Sequence, residues 1–299
     1  MIDRIERACA SVRHFVDQQS QAWSREAIRS ELFHYTSPDG FIGIVANRNL
    51  WASDMLSLND ASEVTYPQRV IAEAVEESDS LPRRHRERFN TQLTEYMFRV
   101  DAPYVVCFCE DGDLLSQWRG YGASGEGFAV GFGIPWLLSL DKSGFRLQRV
   151  IYDRDEQRAL VLSFLDRVAA VTSEEKFSDE EETQIWQRAA ASLSSWVVMF
   201  KHPSFREEGE WRIVSEFERR PSCFKNLFRR SGRRIVPYVT IDIPHDMGME
   251  GMNGTAITRV VRGPYFQGID TRGPYFMLVA RGFIMAGGSV EDSRIPLCN

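Results

Sequence analysis

No apolar run approaches the ~20 residues that a membrane-spanning helix needs, so no membrane partner is expected. Where a secretory leader would carry an apolar core, the first residues include Asp3, Arg4, Glu6 and Arg7, and a cytoplasmic location is the expectation. Cysteine is sparse and odd in number, with Cys9, Cys107, Cys109, Cys223 and Cys298 making five. Cys107-Phe108-Cys109 would put two thiols on one strand face, but no second Cys or His pair lies nearby in sequence to complete a zinc site. Positive charge does not dominate either. Lys and Arg number 36 against 42 Asp and Glu, a net charge of −6 that argues against broad nucleic-acid binding and leaves room for a local basic patch. The chain has no G-x-x-x-x-G-K-[ST], no H-E-x-x-H and no G-x-S-x-G. Gly125-Glu126-Gly127 leads into a strand and opens no helix, so it fails as a dinucleotide loop. Five histidines without metal-binding spacing place a nuclease or phosphodiesterase last among the readings. No linker rich in Gly, Ser or Pro divides the 299 residues, which read as a single domain with leading helices over 1–31 and a core with helical insertions over 32–299.

Helices and short strands alternate irregularly along the chain. Apolar residues Ile5, Ala8, Val12, Phe15 and Val16 recur at helical spacing. Residues 32–36 read as a strand, followed by Ser37-Pro38-Asp39 as a helix cap with proline at the first helical position. Residues 50–53 form a second short strand, and Asn59 or Asp60 caps a helix, with a further helix over 83–99. Strands are expected over 104–109, 127–132, 145–152, 211–217, 235–243 and 257–261, with a turn at Ser231-Gly232. Helices are expected over 156–171, 178–201 and 271–283. That order is α+β and not a regular βαβ array. Arg262-Gly263-Pro264-Tyr265-Phe266 recurs as Arg272-Gly273-Pro274-Tyr275-Phe276, a coincidence placed in two different structures.

Five constellations could carry chemistry. In Glu207-Glu208-Gly209-Glu210-Trp211-Arg212, a strand starting at Glu208 would point Glu208 and Glu210 to one face. Such a pair could polarise a hydroxyl or stabilise a developing cation, or it could be a solvated strand entrance paired with Arg206 and Arg212. If Phe33 and Tyr35 pack inward, His34 and Thr36 face the other side, where His34 could meet a ribose hydroxyl or a phosphate or could be a satisfied surface histidine. Trp51-Ala52-Ser53 ends a strand on a small polar residue, which would let a flat ring approach. Trp118, Arg119 and Tyr121 bring two aromatic faces and a cation beside a glycine-rich turn, suited to a planar anion or to plain helix packing. The four arginines of Arg229-Arg230-Ser231-Gly232-Arg233-Arg234 form a solvated hairpin tip or a contact for a phosphate-bearing or acidic partner.

Taken in order, seven segments resemble a bacterial family of uncharacterised domains. They are His34-Tyr35-Thr36, Leu50-Trp51-Ala52-Ser53, Leu58-Asn59-Asp60 through Glu63, Cys107-Phe108-Cys109-Glu110, Trp118 to Tyr121, Gly127 to Phe132, and Phe205 to Arg212. The pattern is similar to that of the ADP-ribosyltransferase-like fold, a split β-sheet core with flanking helices. The resemblance implies NAD as substrate. His34, with Tyr35 and Thr36 beside it, would bind the nicotinamide ribose. Trp51 and Ser53 would shape the nicotinamide pocket, although Trp51-Ala52-Ser53 stands where that fold has Ser-Thr-Ser. Trp118 and Tyr121 would add stacking surfaces. Glu210 would be the catalytic carboxylate and Glu208 would orient the acceptor, because a carboxylate beside the ribose stabilises oxocarbenium character. The expected function is ADP-ribosylation of a protein or nucleic-acid acceptor or hydrolysis of NAD, with toxin or phage-defence roles as analogies. The alternative is a non-catalytic nucleotide-sensing or partner-binding domain of the same fold.

Overall fold

Local chemistry sets most of the elements in the computed structural model, which describes residues 4–25, 30–57, 62–97, 102–215, 227–244, 256–266, 272–283 and 290–296. Helix α1 spans Arg4–Arg25. Strand β1 (Glu31–Thr36) ends at Ser37, whose hydroxyl accepts from Gly40 N as the cap of α2 (Pro38–Asn47), with proline in the first turn where its missing N–H costs nothing. Strand β2 is Asn49–Asp54. Helices α3 (Ser62–Glu77) and α4 (Arg83–Met97) follow; the expected cap at Asn59 or Asp60 lies outside the described residues. Next come β3 (Tyr104–Cys109), α5 (Leu115–Gly120), β4 (Phe128–Gly133), α6 (Ile134–Ser139) and β5 (Phe145–Arg149). Helix α7 (Arg154–Glu174) starts at Asp153, and α8 (Asp179–Val197) starts with a reciprocal capping box between Ser178 and Glu181. The chain ends with β6 (Glu210–Ser215), β7 (Leu227–Ser231), β8 (Arg234–Asp242), β9 (Ile257–Arg262), α9 (Arg272–Ala280) and β10 (Val290–Asp292).

The chain gathers into two compact units, each built from three segments. Such interleaving needs no flexible linker, which is why composition shows none. The first unit takes residues up to Ala27, Asp54–Pro103 and Gln148–Arg206 and is helical. In it α8 packs on α1 and α4, and α7 packs on α1 and α3. Its core includes Val12, Val70, Phe89, Phe164, Leu165, Trp186, Leu193 and Trp196. The Trp196 indole N–H is satisfied by Ser20 Oγ at 3.1 Å. Buried Gln157 donates to the carbonyls of Ile151 and Lys201 and accepts from the Tyr66 hydroxyl at 2.9 Å.

The second unit, Ile28–Ser53, Tyr104–Leu147 and Glu207–Asn299, carries a mixed sheet. Its strand order is β10-β9-β4-β1-β3-β2-β8-β7, with β6 pairing β3 and β5. The β1–β4 ladder runs through six residue pairs, whereas β1 meets β3 at one, Phe33 with Cys109. On one face Phe33, Tyr35, Cys109, Trp118, Ala129 and Val261 form an apolar cluster. The architecture is α+β, as the sequence pattern implies.

Candidate functional site

Residues directly opposite each other in an antiparallel ladder share a face of the sheet. Phe33 stands opposite Cys109, and Cys109 opposite Glu210, so these three point the same way. His34 points the other way. Its ring lies 5.9 Å from that of Phe108, and Phe108 stands opposite Trp211. The sheet therefore separates His34 from Glu210.

On the His34 side, strands far apart in sequence bring a polar group together. Trp51 and Ser53 stand opposite Thr240 and Tyr238, and Leu227 and Arg229 opposite Tyr238 and Val236. The Arg229 guanidinium donates to Ser53 Oγ at 3.0 Å and lies 5.8 Å from the centre of the Trp51 ring. Trp51 is itself 43% exposed and packs against Tyr238 with centroids 4.6 Å apart at 34°.

His34 Nδ1 lies 2.9 Å from the Cys107 carbonyl oxygen. A carbonyl can only accept, so Nδ1 carries the proton and the neutral ring keeps Nε2 as an acceptor. Desolvation lowers the His34 pKa below its ordinary value; the Cys107 carbonyl opposes that shift and the Arg229 charge adds to it. The imidazole is thus neutral at pH 7 and offers an acceptor to a ligand hydroxyl.

Arg229 is half-buried, and its Nε is buried without a hydrogen-bond partner. Desolvation also lowers its pKa, partly offset by Tyr238. Among the described residues no carboxylate comes within ion-pair distance of it. A half-buried cation held by a hydroxyl and an aromatic face, with no counter-charge among the described residues, is an arrangement that an anion would complete.

The other expected site residues do not join this group. Glu208 ends the turn Pro203–Glu208, and Gly209 follows with φ +49°, so the strand starts at Glu210 and the two carboxylates do not share a strand face. Glu210 is buried and grips buried Arg212 through two bonds of 2.7 and 3.1 Å. Its charge is committed to that pair on the reverse side. Tyr35 and Trp118 are core residues. The Tyr35 hydroxyl donates to the Asp111 carbonyl and accepts from Leu114 N, and the Trp118 indole donates to Asp113 while its ring packs edge-on against Tyr35 at 4.8 Å. Thr36 shares the His34 face at the end of β1, and Tyr121 is exposed beyond α5. Burial pushes the Cys109 thiol up to about 12, and its Sγ–H donates to the Glu208 carbonyl, so it is no nucleophile. Among the described residues no cluster of three His, Cys, Asp or Glu could hold a metal ion.

Arg229 and Tyr238 were missed as site residues. Arg229 was legible only as one of four hairpin arginines, and nothing in the sequence placed it across from Ser53, 176 residues away. No curated protein and no solved structure matches the chain. Residues 117–213, about a third of the chain, are similar to the family model described as protein of unknown function (DUF2971), a segment that takes in Trp118, Tyr121, Glu208 and Glu210.

Proposed function

We propose that the sheet unit is a ligand-binding module for an anionic compound with a flat ring, of the nucleotide class to which NAD belongs, and that it binds this ligand without cleaving it. The carrying observation is Arg229, a desolvated cation with an unpartnered Nε, fixed by Ser53 and flanked by exposed Trp51. In this reading a phosphate completes Arg229, a base or nicotinamide ring stacks on Trp51, and Nε2 of His34 accepts from a ribose hydroxyl. The single-pair meeting of β1 and β3 supports the resemblance to the split sheet of the ADP-ribosyltransferase-like fold. Binding ranks above transfer or hydrolysis because Glu210, the carboxylate that would oppose a ribosyl cation, lies across the sheet, buried and paired with Arg212.

Trp51 supplies the test. Titrating NAD, ADP-ribose and nicotinamide while following tryptophan fluorescence should give saturable quenching with the two anionic ligands. Arg229→Gln should weaken it about 10–100-fold, the worth of one charge-assisted contact. Equal affinity in the variant would remove Arg229 from the site, and nicotinamide release would restore the enzymatic reading.

A further inference from the structure

Strand β7 ends the sheet, and among the described residues no strand pairs with its outer side. It joins β8 through Gly232 and Arg233, with Ser231 opposite Arg234 and Gly232 at φ +58°. Glycine at the first central position of a two-residue turn suits the native strand twist. The closing pair of such a hairpin exchanges both of its hydrogen bonds, as does every second pair after it. Phe228 and Arg230 are therefore the residues whose N–H and C=O groups point outward. Their side chains share the face away from Arg229, beside Ile235. Phe228 is 65% exposed and Ile235 is 76% exposed, an unusual pairing of apolar side chains with a free edge.

The geometry points to this edge as a docking strand for an extended acidic peptide segment of another protein. Edge addition draws affinity from main-chain hydrogen bonds and specificity from alternate side chains. Here the alternate side chains are apolar Phe228 and cationic Arg230, with Arg233 and Arg234 exposed at the turn. Charge selects the occupant. A second copy adding edge to edge would bring two arginine-bearing strands together, and like charges directly opposite are destabilising. A peptide that presents carboxylates and β-branched residues in turn along one strand face, at every second position, would pair with Arg230 and cover Phe228 and Ile235. Single-stranded nucleic acid would use the charges but leave the outward main-chain groups unpaired.

The probe is a fluorescein-labelled peptide of three Glu-Thr-Val-Thr repeats, which sets Glu and Val in turn on one strand face, measured by anisotropy against the whole chain. Saturable binding that weakens as salt rises is expected, with no binding of the same peptide carrying Lys in place of Glu. Arg230→Glu combined with Arg233→Glu should weaken it about tenfold or more. Both residues are exposed, so folding should survive. Phe228→Pro removes one outward N–H, which edge strands tolerate structurally, and should weaken binding with the charges intact. Bound peptide should slow hydrogen exchange at the Phe228 and Arg230 amides. Failure of the acidic peptide to saturate, indifference to Phe228→Pro, or tighter binding of an oligothymidylate of matching charge would overturn the proposal.

Discussion

Two carboxylates in Glu208-Gly209-Glu210 invite a catalytic reading, yet their surroundings give them separate fates. Glu210 is buried against Arg212, and removing one charge of a buried pair is destabilising. Glu210→Gln should therefore lower stability by about 3 kcal/mol in urea unfolding, while nucleotide affinity stays at the wild-type level. Unchanged stability with lost affinity would move Glu210 back into the site. His34 gives a second residue-level expectation. Its pKa in the folded protein is lowered, so below an unfolded value of ~6.5 the unfolded chain binds a proton that the folded chain resists. Stability is full above that pH and falls as the pH drops toward the folded pKa. Melting at pH 7.5 and 5.5 should show that loss, and His34→Gln should reduce it.

Elements that rest on local chemistry were legible. The Ser37-Pro38 cap, the Ser178 helix start and the compact run of β3 follow from residue types within a few positions, and they appear at or near the expected bounds. Ser178→Ala should cost about 1 kcal/mol of stability, read by the same denaturant series. What spacing could not show was which strand faces which. A Glu-x-Glu pair shares a face only on a continuous strand, but Gly209 adopts a left-handed conformation and resets the phase before β6. A Cβ there would lie 3.5 Å from Glu110, ordinary contact, so Gly209→Ala should cost only the backbone strain of about 1–2 kcal/mol. Gly209→Asn should cost less, because asparagine visits that region more readily.

At the scale of the whole molecule, the second unit's site depends on β1, β2 and β7 meeting on one sheet face, a non-local register that no sequence window contains. His34, Trp51 and Ser53 were identifiable as candidates, and the structure places them on that face. Glu210, Trp118 and Tyr35 were equally plausible by residue type, and the sheet and its core take them away. The central claim is that Arg229, with Trp51 and Ser53, holds an anionic nucleotide that the protein does not cleave. Calorimetric titration of NAD, followed by assay of the same sample for free nicotinamide, tests it most directly. One ligand bound per chain is expected, with a loss of about 10–100-fold in affinity in Arg229→Gln and no nicotinamide released. Nicotinamide produced over many turnovers and abolished by Glu210→Gln in a chain that still folds would contradict it.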